Sequence, residues 1–326
     1  MPSKPIRIAT RGSALALAQA RATLLECQRA FPERRFEIQV IKTTGDKLQT
    51  ASLAGAQLPK GLFTKELETA LLSKEADLAV HSLKDLPTQL PAGCILGAVG
   101  RREDPRDVMV VRAEGSTSFR SFGKDVELKN LPAGAVIATS STRRAAQILE
   151  HRPDLRCAPI RGNVGTRLRK LLENPEIDAT MLAAAGLNRL QFRLDDTGLL
   201  SGGPADMEPV PPGKLRVLHL SAEEMIPCVG QAAIGIEIRE GDEELAEICR
   251  ALHHDATGLC VMAERSFLQA TGGGCQAAVA AHARLENDLL RIAAVSYLGN
   301  KPVRSKIHGP AAQAEELGRR LASLLL

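Results

Sequence analysis

The sequence predicts an α/β protein with two doubly wound lobes and a small α+β domain at its C-terminal end. Two stretches, 6–80 and 135–183, each alternate short apolar runs with segments of helical period. That order is typical of a mostly parallel sheet covered by helices. From about Asp255 the pattern changes to a helix, two alternating strands and a closing helix. At 326 residues the chain is also too long for one typical domain.

The first lobe begins with a short apolar strand over 6–10. Ser13 is placed to cap the following helix, because a hydroxyl directly before a run of helical period is a typical N-cap. Alternation over 36–41 predicts a second strand. One apolar face over 62–72 predicts a second helix, and 77–80 returns as a strand.

The second lobe repeats this order. We expect strands over 135–139, 155–160 and 178–183, separated by helices over 142–149 and 164–172. Ligands of such folds sit at the carboxyl ends of the strands. The sequence therefore predicts a ligand cleft between two lobes.

Two segments are expected to join the lobes. The stretch 101–107 contains Pro105 and is interpreted as a crossover or hinge, with the chain returning near 229–238. The stretch 202–213, rich in proline and glycine, is a loop or local insertion. The expected boundaries are 1–104 with 229–250 for the first lobe, 105–228 for the second lobe and 251–326 for the C-terminal domain.

The C-terminal domain is predicted to hold a helix over 257–270, strands over 277–285 and 289–298, and a closing helix over 311–326. Cys275 follows three glycines at the junction between its first helix and first strand. Consecutive glycines mark a tight turn or the close approach of another group, so this thiol is expected to be accessible. Such a thiol is a nucleophile, a redox sensor or a covalent attachment point, unless it is an ordinary cysteine beside a loop.

Composition excludes several classes of function. Aromatic residues are only 2% of the chain, which disfavours single-stranded nucleic-acid binding. The seven cysteines include no C-x-x-C pair, so neither a zinc site nor a disulfide framework is expected. Adjacent histidines, His253 and His254, would point to different faces of a helix, which argues against a metal there. No apolar run approaches a membrane span, and no secretory core precedes Ile6, so we expect a cytoplasmic protein.

Charged and hydroxyl side chains follow the predicted strands. Lys84 and Asp85 come after the strand ending near Val80, where Asp85 is a functional carboxylate or part of a solvated ion pair. Arg143 and Arg144 stand in the first turn of a helix, where cations oppose the helix dipole. We therefore expect an anionic ligand to offset them, the alternative being that both arginines point to water. The segment 161–167 repeats this arrangement without a Walker or G-x-G-x-x-G spacing.

The sequence resembles the porphobilinogen deaminase family of tetrapyrrole biosynthesis, also called hydroxymethylbilane synthases. The resemblance runs from Ile6 to the closing helix. It rests on six specific strings in the family's order, at 8–11, 61–68, 79–87, 102–107, 161–167 and 273–276. Departures are Ala232 and Pro59, at positions where the family usually or often carries glycine, and the apparent insertion at 202–213.

The resemblance implies three domains, the first two like a bilobed periplasmic binding protein. It implies an enzyme that condenses four porphobilinogens head to tail, with loss of four ammonia molecules, into hydroxymethylbilane. The primer is a dipyrromethane cofactor, joined by a thioether to Cys275. The family further implies a monomer, with no nucleic-acid or membrane partner and no metal.

The site residues that the resemblance implies fall into three groups. Asp85 matches the catalytic aspartate, and Lys84, which matches a residue near the cofactor's acid groups, is assigned to the catalytic site with it. Gln231 matches a position at the hinge. The residues expected to bind cofactor or substrate carboxylates are Arg11, Ser13, Lys60, Ser82, Thr139, Ser140, Arg143, Arg144, Arg161, Arg167 and Arg189.

Two alternatives stay open on the residues alone. A non-catalytic bilobed anion-binding protein would use the same lobes and arginines, but it gives no reason for the glycine-flanked Cys275. A nucleic-acid binder would use the basic stretch 161–170, but it lacks aromatic residues for stacking.

Overall fold

The computed structural model describes residues 4–47, 63–204, 210–274 and 277–326. The strands are β1 Ile6–Arg11, β2 Phe36–Ile41, β3 Leu78–Ser82, β4 Cys94–Val99, β5 Asp107–Arg112, β6 Val136–Ala138, β7 Arg156–Ala158, β8 Ala179–Ala183, β9 Phe192–Leu194, β10 Leu200–Gly202, β11 Leu215–His219, β12 Ile234–Arg239, β13 Val279–Glu286, β14 Leu289–Ser296 and β15 Val303–Pro310. The helices are α1 Ala14–Ala30, α2 Thr44–Lys47, α3 Lys65–Leu72, α4 Thr142–His151, α5 Val164–Glu173, α6 Ala184–Arg189, α7 Glu243–Leu252, α8 Asp255–Ala270 and α9 Ala314–Ser323.

The first lobe is a five-stranded sheet in the order β2-β1-β3-β12-β4. Its core strands β2, β1 and β3 are parallel, but β12 runs antiparallel to both β3 and β4. Apolar residues of α1 and α7 cover one face of the sheet, and those of α3 cover the other. The expectation of a mostly parallel sheet is confirmed, with β12 as the exception because the chain re-enters the sheet from the second lobe in the opposite direction.

The second lobe is a five-stranded sheet in the order β11-β5-β8-β6-β7. Strands β6, β7 and β8 are parallel, whereas β5 is antiparallel to β8 and β11 is antiparallel to β5. Helices α5 and α6 pack on one face and α4 on the other. Each sheet therefore lies between helices, as the predicted doubly wound lobes require.

The C-terminal domain is an antiparallel sheet, β13-β14-β15, with α8 and α9 packed on one face. The two helices approach closely at Gly318, where an added Cβ would lie 2.2 Å from the carbonyl oxygen of Ala263. The two predicted strands pair as a hairpin, and Asn287 and Asp288 in its turn both adopt left-handed backbone angles, with φ of 48° and 62°.

Several elements were not foreseen. No local pattern predicted the helices α2, α6 and α7 or the strands β4, β5, β9, β10, β11 and β15. The predicted placement of His253 and His254 inside a helix is wrong, because both lie between α7 and α8, where the His254 side chain caps α8. No helix in the described part of the chain is long and apolar enough to cross a bilayer.

Candidate active site

Asp85 projects from a short 3-10 turn, Leu83–Asp85, that directly follows β3. Leu83 is 1% exposed and anchors this turn, because an added Cβ at Gly235 of β12 would lie 2.7 Å from its side chain. Asp85 itself is exposed and lines a pocket with Arg11, Ser13 and Ser82 at the carboxyl ends of β1 and β3. The buried Leu83 side chain thus fixes the turn that presents the Asp85 carboxylate to the pocket of the first lobe.

The end of β1 supplies the other wall of this pocket. Ser13 caps α1 by accepting a hydrogen bond of 3.3 Å from the Ala16 amide. The guanidinium of Arg11 lies 4.2 Å from the centre of the Phe63 ring, a cation–π contact that fixes its direction.

A residue that the sequence analysis missed orients Ser82. The Gln19 amide both donates to the Ser82 hydroxyl, at 2.9 Å, and accepts from it, at 3.1 Å. Gln19 is 2% exposed, on the face of α1 that packs against the sheet. A polar amide on an otherwise apolar helix face was the available signal, and it was overlooked.

Lys84 lies beside Asp85 and is half-buried. Burial lowers the pKa of the Lys84 amine, and the positive charge of Arg144 lowers it further, while Asp85 and Asp107 oppose this. Cys228, which the sequence did not single out, lies near Arg143 and Lys84. Burial raises the pKa of the Cys228 thiol despite Arg143 and Lys84.

The arginine pair at the start of α4 is held by the protein itself. Both carboxylate oxygens of Asp107 accept from Arg143, at 2.6 and 3.3 Å, and Arg144 donates to Oδ1 from Nε at 3.0 Å and from Nη2 at 2.7 Å. Burial would raise the pKa of Asp107, but Arg143 and Arg144 hold it well below its ordinary value. The expectation that a ligand must offset these cations is therefore corrected, since Asp107 does so.

The hydroxyl residues before α4 make internal contacts. Ser140 Oγ donates to the Ile160 carbonyl at 2.7 Å and accepts from the Ile160 amide at 3.0 Å. Thr139 Oγ1 accepts from the Ser141 amide at 3.2 Å. Ser140 thus joins the segment after β6 to the segment after β7, while Thr139 stabilises the local turn before α4.

Arg161 and Arg167, which the sequence places in one motif, lie in different surroundings. Arg161 is exposed, and its carbonyl accepts from Lys170 at 3.1 Å. Arg167 donates from Nε to the Gly162 carbonyl at 2.9 Å. Burial and the nearby Arg144 lower the pKa of Arg167 to about 10, while Asp85 raises it. Arg167 therefore faces the first lobe's carboxylate from the second lobe.

Two further residues lie at the crossing between the lobes. Arg189 donates from Nη2 to the Ala232 carbonyl at 2.6 Å, and burial lowers its pKa to about 10. The Gln231 amide nitrogen donates to the Pro105 carbonyl at 2.7 Å and to Asp107 Oδ1 at 3.1 Å. Gln231 thus connects the returning segment to the outgoing one. Cys275 and Lys60 lie outside the described residues.

The charges at this site suit a ligand with several carboxylates. Arg144 lowers the pKa of both Lys84 and Arg167, and the carboxylates that interact with this group of cations are Asp85 and Asp107. The buried Nε of Arg143 finds no hydrogen-bond partner among the described residues. A polyanionic group such as a dipyrromethane bearing acid side chains would fit this excess of positive charge. The described residues contain no group of three or more His, Cys, Asp or Glu side chains suited to a metal.

Comparison with known families covers nearly the whole chain. A profile described as "Porphobilinogen deaminase, dipyromethane cofactor binding domain" matches residues 6–247. A second, "Porphobilinogen deaminase, C-terminal domain", matches residues 258–326.

Curated relatives agree with these profiles. A porphobilinogen deaminase of Synechococcus elongatus is 42% identical over 99% of this chain and 92% of its own length. Those of Thermus thermophilus and Desulforudis audaxviator are 43% and 44% identical, and each alignment covers at least 97% of this chain and 93% of the relative.

Solved structures give weaker likenesses. The effector-binding domain of BenM with benzoate has a TM-score of 0.41 and 14% identity, covering 77% of this chain and 92% of that one. The periplasmic aliphatic sulphonate binding protein SsuA from Escherichia coli has a TM-score of 0.38 and 13% identity, covering 83% and 71%. At these TM-scores the overlap is partial, and no conclusion rests on it.

Proposed function

Since the chain belongs to the porphobilinogen deaminase family, we propose that Asp85 is its catalytic carboxylate and Cys275 the attachment point of its cofactor. The enzyme is a transferase that condenses four porphobilinogens head to tail, with loss of ammonia, into hydroxymethylbilane on a dipyrromethane primer. The alternative functions, an anion-binding protein and a nucleic-acid binder, are set aside by this membership.

The placement of Asp85 carries the proposal. Its carboxylate stands at the end of β3 on a turn anchored by Leu83, in a pocket that Arg11 also lines, and it interacts with the charge of Arg167 in the second lobe. Loss of ammonia from the substrate leaves positive charge on the pyrrole ring. A fixed carboxylate beside that ring stabilises the charge far better than bulk water, and it can accept hydrogen bonds from the pyrrole N–H and assist proton transfer.

The surrounding cations bind the acid side chains. Each pyrrole carries an acetate and a propionate, so a growing chain gains two negative charges at every addition. Arg11 lines the pocket of Asp85, and Lys84 and Arg167 interact with its charge, which supports the proposal that these three cations bind the acid groups, the guanidiniums through paired N–H donors. When bound, the dipyrromethane supplies the nucleophilic pyrrole carbon from which the chain extends.

The remaining site residues fall into two groups. Arg143 and Arg144 act through Asp107 and keep few free donors, and Ser140 is engaged by Ile160. We therefore assign these three to shaping the site, with contacts to the ligand made at its margin. Ser13, Lys60, Ser82, Thr139, Arg161 and Arg189 are proposed as further contacts to acid groups, and Gln231 as a hinge residue.

Asp85→Asn tests the catalytic assignment. The amide keeps the shape of the side chain but cannot carry negative charge, so turnover should fall by a factor on the order of 10²–10³. Circular dichroism should be unchanged, because Asp85 is exposed. Asp125→Asn, which changes an exposed carboxylate in the second lobe, is the matched control. Near-normal turnover in Asp85→Asn would sink the assignment.

The attachment point can be read from intact mass under denaturing conditions. Wild-type protein should exceed the mass of the bare chain by two linked pyrrole units, and Cys275→Ser should lack that excess. Cys228→Ser is the sharpest control, because this thiol lies beside Lys84 and Arg143. An excess lost from Cys228→Ser and kept in Cys275→Ser would move the anchor to Cys228.

The oligomeric state, the cellular location and the domain boundaries are proposed as well. We propose a cytoplasmic monomer, as the family resemblance implies, which sedimentation and cell fractionation can check. The proposed boundaries remain 1–104 with 229–250, 105–228 and 251–326. The sheet order supports them, because β12 belongs to the first sheet and β5, β6, β7, β8 and β11 belong to the second.

A further inference from the structure

One buried carboxylate joins the C-terminal domain to both segments that cross between the lobes. Glu264 lies in α8 of the C-terminal domain and is fully buried. Its Oε1 accepts from Arg102 Nη1 at 2.6 Å and from the Ala283 amide at 2.8 Å. Its Oε2 accepts from Arg102 Nη2 at 3.1 Å and from the Gly230 amide at 2.8 Å. Each oxygen therefore receives two hydrogen bonds.

The donors come from different segments. Arg102 belongs to the segment that leaves the first lobe before β5, and Gly230 to the segment that returns before β12. Ala283 belongs to β13 of the C-terminal domain. Arg102 also donates from Nε to the Gln231 carbonyl at 2.9 Å, which ties the two crossing segments to each other. A movement of one lobe about these segments must be transmitted to Glu264.

The contacts continue from this junction to both walls of the site. On one side, Gln231 donates to Asp107, which holds Arg143 and Arg144. On the other side, Gly230 packs against the turn that carries Asp85, since an added Cβ there would lie 3.4 Å from the Lys84 amide nitrogen.

We propose that Glu264 is a positioning residue that couples the C-terminal domain to the crossing between the lobes and so sets the rate of chain extension. This inference rests on the proposed function, because extension requires the primer-bearing domain and the catalytic turn to keep their register as the chain grows. Glu264 does not touch the reacting atoms. It acts through Arg102, Gly230 and Gln231.

Glu264→Gln is the direct test. The amide has the same shape, but its NH₂ group cannot accept hydrogen bonds. Where it replaces a carboxylate oxygen, the hydrogen bonds from Arg102 and from one backbone amide to that oxygen are lost. We expect full primer loading and an unchanged KM, with kcat reduced at least fivefold. Enzyme quenched during turnover should show, by intact mass, more partly extended species than the wild type.

A control separates coupling from stability. Asp178→Asn also removes a buried carboxylate, one that accepts from the Val136 amide at 2.8 Å and from Arg120 at 3.2 Å within the second lobe. It should lower the melting temperature while leaving the distribution of extended species as in the wild type. A Glu264→Gln enzyme with normal kcat and normal distribution, despite a similar loss of stability, would overturn the proposal.

A second variant covers the case in which Glu264→Gln does not fold. Arg102→Lys keeps the charge but loses the paired donors and the Nε bond to Gln231. It should show the same accumulation of partly extended species to a smaller degree, and an unchanged distribution would again overturn the proposal. Failure of the proposed function is distinguishable, because it would appear as wild-type protein without a primer.

Discussion

In the first lobe a buried glutamate, Glu237 on β12, lies against His81, whereas in the second lobe a buried aspartate, Asp107 on β5, lies against two arginines. Both carboxylates are 0% exposed. Glu237 Oε2 is 2.9 Å from His81 Nε2, but the two are not aligned for a hydrogen bond. Asp107 accepts five hydrogen bonds from described residues.

The two lobes differ in the groups that stabilise the buried carboxylate. In the second lobe paired guanidiniums satisfy the carboxylate, and Gln231 links it to the crossing. In the first lobe neither oxygen of Glu237 has a hydrogen-bond partner among the described residues, and the carboxylate lies near the Cys94 thiol, whose pKa burial and Glu237 raise to about 12. In the second lobe Arg143 and Arg144 are thus bound by a buried carboxylate, whereas in the first lobe Arg11 and Asp85 line the pocket.

Asp107→Asn should give the largest effect. Two buried guanidiniums would lose their carboxylate, and removal of one partner from a buried ion pair typically costs about 3–5 kcal/mol. Urea unfolding would measure this loss. Asp104→Asn, three positions earlier and paired with the more exposed Arg106, should cost less than about 1 kcal/mol. Equal losses in the two variants would mean that the arginine pair does not depend on Asp107.

The C-terminal domain contains a buried histidine, His282 on β13. Burial lowers the pKa of His282 to about 4, with Arg102 and Arg284 adding to the effect and Glu264 and Glu223 opposing it. Between that value and the ordinary histidine pKa near 6.5, the folded protein keeps His282 neutral while the unfolded chain protonates it. Unfolding therefore takes up a proton, so stability is complete above about pH 6.5 and falls as the pH drops towards 4.

This effect should approach about 3 kcal/mol across that window, since each pKa unit corresponds to about 1.4 kcal/mol. Denaturant unfolding at pH 7 and pH 4.5 would measure it. His282→Gln should show a correspondingly smaller loss between the two pH values. His308→Gln, which changes an exposed histidine on β15, should lose stability as the wild type does. Identical pH profiles for wild type and His282→Gln would contradict the assignment.

Glu237→Gln should cost less than Asp107→Asn, at most about 2 kcal/mol. The amide fits the same space and forfeits only one poorly aligned contact with His81, together with its interaction with Cys94. The same urea titrations would rank the two variants. A loss as large as that of Asp107→Asn would break the contrast between the lobes.

Ala232→Gly should give the smallest effect, at the segment that joins the lobes. Ala232 has a φ of +70°, a left-handed conformation that costs an L-residue about 1–2 kcal/mol. Part of the gain on replacement is lost to the greater freedom of glycine in the unfolded chain, so unfolding should become harder by at most about 1 kcal/mol.

The nearby Gly230→Ala is the opposite test of that segment. Gly230 has a φ of +68°, and an added Cβ would lie 3.2 Å from the Leu83 side chain. This variant should be destabilised by about 1–3 kcal/mol through strain and contact with the catalytic turn. A stabilised Gly230→Ala or a destabilised Ala232→Gly in thermal unfolding would mean that backbone strain does not govern this crossing.

The sequence predicted the regular elements where a local pattern was strong. Ser13 before α1 and the apolar face of α3 are signals contained within one or two helical turns. Strands β4, β5 and β11 were missed because short apolar runs without clear turn signals do not distinguish a strand from a buried loop. The order of β12 in the first sheet could not be predicted, since it depends on where the chain returns.

By itself the sequence determined the two α/β lobes, the C-terminal domain and the family, because periodicity, helix caps and specific strings are local properties. The tertiary structure alone decided which charges meet. Arg143 reaches Asp107 across 36 positions, and Arg102 reaches Glu264 across 162. Long-range pairing of buried charges depends on the packing of whole lobes, and no local pattern specifies it. For that reason the arginines of α4, expected to face a ligand, are held by the protein's own carboxylate.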